Sequence, residues 1–351
     1  MSDHADARNA APARDLPARP ATPATPAAPS AARRVWSRVI GRIAGLSDDE
    51  TRVSTRGFAV DQPEVVERLE SIGRHFAWGY NHALVSCELA ELARALATRP
   101  ADDAGFAYEG AAMGLVIADW MTPGRRMFEA YVEGPARPHE YMAWVGLGWA
   151  LARLPVSPLR ALSRYRNLNK WLALDGYGFH DGYFNWRRSV VGQRRPRGLT
   201  AGAARVFDQG LGRSLWFVRG ANPGSVAAAI AAFEAARHGD LWAGVGLAAT
   251  YAGGAAPTAL RTLLERAGPH ASALAQGVVF AAQARRLAGN PVAHTELACA
   301  ELLGMSSIAA ADIALQTLPA GDDSLPAYQH WRLAIQQRCA VAQTISQAHP
   351  S

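Results

Sequence analysis

Apolar segments with helical spacing recur along this chain, and each carries glycines at a matching point. Gly-x-Gly pairs lie at Gly146/Gly148, Gly176/Gly178, Gly210/Gly212 and Gly244/Gly246, with a wider pair at Gly110/Gly114 and a single Gly277. Successive first glycines are 36, 30, 34, 34 and 33 residues apart. Such a period is typical of stacked helical hairpins. The sequence therefore predicts an all-α fold of about six repeats of roughly 33 residues, in a solenoid or a closed α/α arrangement.

A proline follows most of the first glycines after 12 to 14 residues, at Pro123, Pro158, Pro223, Pro257 and Pro291. Proline is favoured in the first turn of a helix. Each repeat is thus predicted to be a glycine-bearing helix, a turn, and a second helix that begins near the proline. Residues 63–96 and the C-terminal end are predicted to cap the two ends of the stack, because end repeats must cover the exposed core.

Glycine inside a helix costs about 1 kcal/mol relative to alanine. Its recurrence at one point of each repeat predicts a close approach between the backbones of neighbouring helices. The residue before the first glycine is polar in four of the six repeats, namely Glu109, Asp175, Gln209 and Gln276. Stacked in register, these side chains would form a row along one face. They either bond neighbouring helix ends, as buried polar groups commonly do, or belong to a functional site.

The richest stretch for chemistry is 174–186, LDGYGFHDGYFNW. The candidate catalytic residues are Asp175, Asp181 and His180 from this stretch, with Glu109 and Asp208 from neighbouring repeats. An acid held in an apolar, aromatic pocket has a raised pKa and can donate a proton. Asp175 is predicted to be the main proton donor or polar anchor, tuned by Asp181 and His180. Asp175 and Asp181 are six residues apart, so they converge only if the helix bends at a glycine.

The aromatic residues around these acids are predicted to bind substrate. This set comprises Tyr177, Phe179, Tyr183, Phe184, Trp186, Arg213 and Trp216. Aromatic faces shield cations, which suits the isomerisation or cyclisation of a polyene or isoprenoid, so a hydrophobic small molecule is the expected ligand. The alternative interpretation is that the aromatics fill the core and the acids bond backbone groups.

The third repeat lacks the expected proline and instead carries a basic segment with Arg187, Arg188, Arg194, Arg195 and Arg197. This segment is either a solvated loop or a docking patch for an anionic partner, such as a phosphate group, an acidic carrier protein or a synthase. The second interpretation fits a non-catalytic scaffold, since helical repeats commonly present a concave binding surface.

The 351 residues carry a net charge of +6, and the basic residues are mostly scattered. Since no nucleic-acid-binding motif accompanies them, no nucleic-acid partner is predicted. Phosphate-loop and nucleophile-elbow motifs are lacking, and no cofactor or metal is predicted. The three cysteines are far apart, which fits a reducing cytoplasm. The sequence has no apolar run of about 20 residues, so no transmembrane helix is predicted.

Residues 1–33 are rich in Ala and Pro and are predicted to be disordered, whereas 34–345 are predicted to form one domain. The segment 33–43, RRVWSRVIGRI, is basic and weakly amphipathic. It is expected either to touch an anionic membrane surface or to dock on the domain through Val35, Val39 and Ile43.

Several blocks, spread over roughly residues 56–338, resemble one bacterial family. They include GFAYEGAAMG, HEYMAWVGLGWALARLP, WLALDGYGFHDGYF, DQGLGRSLWFV and DLWAGVGLAATYAGG. The family accompanies enediyne polyketide gene clusters, and its members are often labelled enediyne biosynthesis proteins. The resemblance implies a role in natural-product biosynthesis beside a polyene-making synthase. It transfers no catalytic residues, because none is established for the family.

Overall fold

A computed structural model describes residues 30–348 except 59 and 61, and omits the side chains of 48 and 341–348. Within this part of the chain all regular structure is helical, which confirms the all-α prediction. Most of the predicted N-terminal tail lies outside the described residues. Its last three residues, 31–33, belong to the first helix.

Seventeen α-helices follow one another in the described residues. The first are α1 (Ala31–Ala44), α2 (Val53–Arg56), α3 (Pro63–Val85), α4 (Leu89–Leu96), α5 (Ala101–Met121) and α6 (Met127–Glu133). The middle ones are α7 (Glu140–Arg153), α8 (Pro158–Leu162), α9 (Leu172–Phe184), α10 (Ala201–Val218), α11 (Pro223–Ala231) and α12 (Ala235–Ala252). The last are α13 (Pro257–Ala267), α14 (Ala271–Leu287), α15 (Ala293–Leu303), α16 (Ser307–Gln316) and α17 (Leu325–Ala348).

The longer helices form a single row in chain order, α3, α5, α7, α9, α10, α12 and α14. The second helices α11, α13 and α15 pack on one another beside this row. At the ends, α3 covers α5, whereas α16 and α17 pack on α14, so both predicted caps are confirmed. The row also curls back on itself. Nε of Arg68 in α3 donates to the Ala252 carbonyl at 2.8 Å, and Nη2 of Arg285 in α14 donates to the Asp102 carbonyl at 3.0 Å.

The repeated glycines let helix backbones touch, as predicted. A side chain at the first glycine of a pair would overlap a carbonyl oxygen of the preceding long helix. These contacts join Gly146 to Glu109, Gly176 to Val145, Gly210 to Asp175, Gly244 to Gln209 and Gly277 to Ala243. The second glycine faces the following helix in the same way, joining Gly148 to Ala173, Gly178 to Phe207, Gly212 to Leu241 and Gly246 to Leu274. The glycine period thus fixes the register of the whole stack.

The proline rule holds in three repeats, where Pro158, Pro223 and Pro257 begin α8, α11 and α13. Pro123 and Pro291 instead lie in the turns before α6 and α15. In the third repeat a π-helical turn, Arg187–Val191, and a loop replace the second helix. This repeat therefore departs from its neighbours in structure as it does in sequence.

The first helix docks differently from the expectation. Its residues Ser37 and Ile40 are buried, while Val35 and Ile43 are exposed and Val39 is half-buried. The docking prediction through Val35 and Ile43 was wrong because the helix is rotated about its axis. Its other apolar side, centred on Ile40, meets the domain.

Candidate functional site

A cavity of about 60 Å³ lies where α3, α5, α7, α9 and α10 meet, and we call it the chamber. Leu46, Glu50 and Thr51, from the segment after α1, cover one side of it. Its wall is mainly aromatic, formed by Phe76, Phe106, Trp149, Phe179, Tyr183, Phe184 and Phe217. Glu109 and Arg213 bring charged groups to this apolar space.

Glu109 is the buried acid at the chamber. It belongs to α5 and is buried, and its Oε1 accepts a hydrogen bond from Nε1 of Trp149 at 2.8 Å. Burial raises the pKa of the Glu109 carboxyl to about 7, against the opposing effects of Arg213 and the Trp149 hydrogen bond. Near neutral pH the group therefore exists in both protonation states, which is the condition for efficient proton transfer.

Arg213 of α10 lies between two acids. Its Nη1 donates to Oδ1 of Asp175, and its Nη2 is 4.0 Å from Oε1 of Glu109. Burial alone would lower its pKa, but Asp175 and Glu109 raise it, so Arg213 stays charged. Its Nε has no hydrogen-bond partner among the described residues. Buried donors of this kind commonly serve a ligand or an ordered water.

The predicted polar row exists, and it extends from Arg213 across the core. Nε2 of Gln209 donates to Oδ2 of Asp175 at 2.7 Å, and Nε2 of Gln276 is 3.3 Å from Oε1 of Gln209. Nε of Arg332, from α17, then reaches Oε1 of Gln276 at 3.3 Å. Asp175, Gln209 and Gln276 therefore bond one another and not neighbouring helix ends, whereas Glu109 bonds Trp149.

This row approaches the surface through Asp240, a buried residue inside α12. Asp240 accepts from Nη2 of Arg332 at 2.9 Å and from Nε of Arg205, which is exposed, at 3.0 Å. Arg332 and Asp240 are thus members of the network that the glycine register alone did not reveal.

Asp175 is fully buried and bonded to Arg213 and Gln209. It does not line the chamber. Of its two predicted roles, the geometry favours that of a polar anchor over that of a proton donor.

Asp181 and His180 lie apart from this pair. Oδ1 of Asp181 accepts from Nδ2 of Asn185 at 3.1 Å and is 3.6 Å from Nδ1 of His180. Nε of Arg153 donates to Nε2 of His180 at 3.2 Å, and burial lowers the pKa of this imidazole. The contacts of Asp181 and His180 with Asn185, Arg153 and each other lead away from Asp175, so no direct contact supports the predicted tuning of Asp175 by these two residues.

Asp208 also lies elsewhere and holds the basic segment. Its carboxylate accepts from Nε of Arg195 at 3.1 Å, and from Nη2 and Nε of Arg237 at 2.6 and 3.0 Å. The other four arginines of the predicted docking patch, Arg187, Arg188, Arg194 and Arg197, are exposed. Asp208 thus fixes the loop that carries them and is not part of the chamber.

Four of the predicted substrate-binding residues do line the chamber, namely Phe179, Tyr183, Phe184 and Arg213. Three do not. Tyr177 packs edge-on against Phe207, Nε1 of Trp216 donates to the Gly253 carbonyl at 3.0 Å, and Trp186 is half-buried beneath Arg187.

The aromatic wall contributed by Phe76, Phe106, Trp149 and Phe217 was missed. A signal for one of them was present. Trp149, Phe179 and Arg213 each directly follow the second glycine of a pair, and all three face the chamber. The position after each Gly-x-Gly therefore points toward the interior of the curled stack. The remaining wall residues come from other helix positions, which the repeat does not mark.

Within the described residues, no group of three or more His, Cys, Asp or Glu is placed to hold a metal ion. No single helix in this part of the chain is long and apolar enough to cross a membrane, although α15 and α16 together pass that test as a pair bent by 72°.

Fold and site together define an all-helical repeat protein whose core contains an aromatic chamber and a continuous buried polar network. A family model described as a protein of unknown function, DUF1702, matches residues 35–339, and the chain belongs to this family. Neither a search of curated proteins nor one of solved structures found a match.

Proposed function

We propose that the chamber binds a hydrophobic, unsaturated small molecule, a polyene or isoprenoid, and that Glu109 transfers a proton to it. The observation that supports this proposal is a carboxyl group with a pKa of about 7 at the wall of an aromatic-lined cavity. General acids are commonly tuned in this way by burial.

The proposed chemistry needs only this one group. The Glu109 proton adds to one carbon of a double bond and leaves a carbocation on the other. The resulting carboxylate then removes a proton from a neighbouring carbon, which gives the isomer and restores the acid. In a cyclisation, a second double bond attacks the cation before that proton is lost. No oxidant or reductant is required.

The charges around the chamber are compatible with a cationic intermediate. The positive charge of Arg213 would repel such an intermediate, but the negative charge of Asp175 balances it in a buried ion pair. The ring faces on the chamber wall can then stabilise the cation.

The chamber must widen to admit such a ligand. Its volume of about 60 Å³ is well below the roughly 300 Å³ of a small ligand pocket. The covering segment is held by two hydrogen bonds between the Leu46 backbone and the Asn81 side chain, each 2.9 Å long, and by the 3.3 Å pair of Glu50 with Arg56, which also packs over Phe184 at 4.3 Å. We propose that this segment moves aside when the ligand enters.

The test is incubation of the purified protein with isoprenoids and conjugated polyenes in D₂O. Proton transfer to carbon incorporates deuterium into the product, which mass spectrometry detects. Glu109→Gln keeps the shape and the acceptor for Trp149, and it should lower incorporation by at least about 100-fold. Glu67→Gln is the matched control, since Glu67 is exposed on α3 and pairs only with Arg74 among the described residues.

Incorporation that is equal in the wild type and Glu109→Gln would refute the catalytic role of Glu109. Binding of these ligands to both proteins without any deuterium exchange would reduce the proposal to a holding function. Absence of both binding and exchange with every compound would overturn the proposal for this ligand class.

A second candidate function is a non-catalytic scaffold that docks an acidic carrier protein or synthase. The observation that favours it is the loop in which four arginines are exposed together while Arg195 anchors the loop on Asp208. Replacement of Arg187, Arg188, Arg194 and Arg197 by Gln should abolish pull-down of an acidic carrier protein at low salt. The same replacement of four scattered, exposed arginines, Arg94, Arg160, Arg164 and Arg266, is the control for net charge.

The resemblance to enediyne-associated proteins supports the wider proposal that either function serves natural-product biosynthesis in the cytoplasm. Coexpression with a polyene synthase, followed by product analysis with and without this protein, tests that context.

A further inference from the structure

The outer side of α1 combines apolar and basic stripes. Val35, Val39 and Ile43 follow one another at four-residue intervals and therefore lie on one side of the helix. Val35 is 58% exposed and Ile43 is 70% exposed. Trp36, which is 43% exposed, extends this apolar stripe on one flank.

The other flank is entirely basic. Arg34, Arg38 and Arg42 repeat the same four-residue spacing one position earlier, and all three are exposed. The fourteen residues of α1 contain no acidic residue. An apolar stripe bordered by arginines is the pattern of a helix that lies in the surface of an anionic membrane.

The domain holds this helix with the patterned side outward. Ser37 and Ile40 are buried on the opposite side, and Nε1 of Trp36 donates to Oγ1 of Thr122 at 3.2 Å. Trp120, two residues before Thr122, is itself 56% exposed. Trp side chains are favoured where apolar and aqueous surroundings meet.

We propose that α1 docks the protein on an anionic lipid surface, with the Val35, Val39 and Ile43 stripe at the headgroup boundary and the arginines on lipid phosphates. Charge complementarity selects this occupant over a second copy of the chain, because two α1 helices would oppose their arginines. The helix leads directly into the segment that covers the chamber, beginning at Leu46. Docking would thus place the chamber cover beside the lipid, although the proposal does not depend on the function of the chamber.

Vesicle flotation of the full chain tests the proposal, with phosphatidylcholine vesicles that contain or lack phosphatidylglycerol. The protein should float with the anionic vesicles alone, and added salt should weaken the binding. Replacement of Arg34, Arg38 and Arg42 by Gln should weaken it by on the order of 100-fold. Val35→Ser with Ile43→Ser should weaken it by about tenfold or more.

Ile308→Ser is the matched control, since Ile308 is 67% exposed on α16, away from α1, and it should bind as the wild type does. Circular dichroism confirms that each variant is folded. Failure to float, equal binding to both kinds of vesicle, or equal losses for the α1 and Ile308 variants would each overturn the proposal. Light scattering provides a further check. If the wild type forms dimers and does not bind vesicles, and the double variant Val35→Ser with Ile43→Ser is monomeric, the surface would be assigned to a second copy of the chain.

Discussion

The Asp175 carboxylate holds the guanidinium of Arg213 in the core of the helical stack, and both side chains are almost completely buried. The pair connects the chamber to the polar row, because Arg213 also approaches Glu109 and Asp175 also binds Gln209. Asp175 therefore keeps Arg213 charged and in place, and Glu109 is the candidate acid of the sequence that lies at the chamber.

We expect Asp175→Asn to destabilise the protein by about 3–5 kcal/mol, the usual cost of removing one partner from a buried ion pair. Urea denaturation measures the free energy of unfolding. Glu301→Gln is the comparison, because the Glu301 pair with Arg261 is more exposed and worth about 1 kcal/mol at most. An Asp175→Asn variant that unfolds at the wild-type urea concentration would show that the pair has no structural role.

Glu109 should make stability depend on pH. Its pKa rises from 4.5 to about 7 on folding, so the folded state binds this proton more tightly than the unfolded state does. The stabilising contribution is complete below about pH 4.5 and is lost as the pH rises through about 7.

Relative to Glu109→Gln, the wild type should lose on the order of 3 kcal/mol of unfolding free energy between pH 4.5 and pH 8. Parallel denaturation curves of the two proteins at each pH isolate this one group, since all other titrating groups are shared. A difference that stays constant across this range, or that changes in favour of the wild type, would contradict the raised pKa.

The sequence predicted the architecture because the contact that organises it is local and periodic. Each first glycine marks a point where two helix backbones touch, as Gly176 touches Val145 and Gly210 touches Asp175. A spacing of 30 to 36 residues between such points is visible without any structure. The same register placed Asp175 and Gln209 in one row, where they are hydrogen-bonded.

The site was predicted only in part, because it depends on how the row of helices curls. Phe179 and Glu109 were found, but Phe76 comes from a helix whose inward side no short motif marks, and Trp149 was missed although it directly follows the second glycine of a pair. Asp208 was assigned to the wrong place for a related reason. Its partner Arg237 is 29 residues away in the chain, and the two meet only through the packing of α10 on α12.

The cysteines should differ sharply in reactivity. Burial raises the pKa values of Cys299 and Cys339 to about 12, so neither forms the reactive thiolate in the folded protein at neutral pH. Cys87 is half-buried, with its Sγ 3.3 Å from Oγ of Ser37. A thiol reagent should label at most one cysteine in the native protein and all three in urea, and Cys87→Ser should abolish the native label. Native labelling of Cys299 at the rate of Cys87 would contradict this order.

The glycine contacts give the most direct test of the stack. A methyl group at Gly176 would overlap the backbone carbonyl of Val145, which cannot move without shifting α7. Gly176→Ala should therefore destabilise the protein by about 1–3 kcal/mol, the usual cost of overpacking, despite the better helix propensity of alanine. Gly239 is the control inside α12, because only His270, at 3.8 Å, lies near its added methyl. Gly239→Ala should instead stabilise by up to about 1 kcal/mol. Urea denaturation of both variants decides the matter, since changes of opposite sign follow only if neighbouring backbones touch at Gly176. Two stabilised variants would mean that the helices stand further apart.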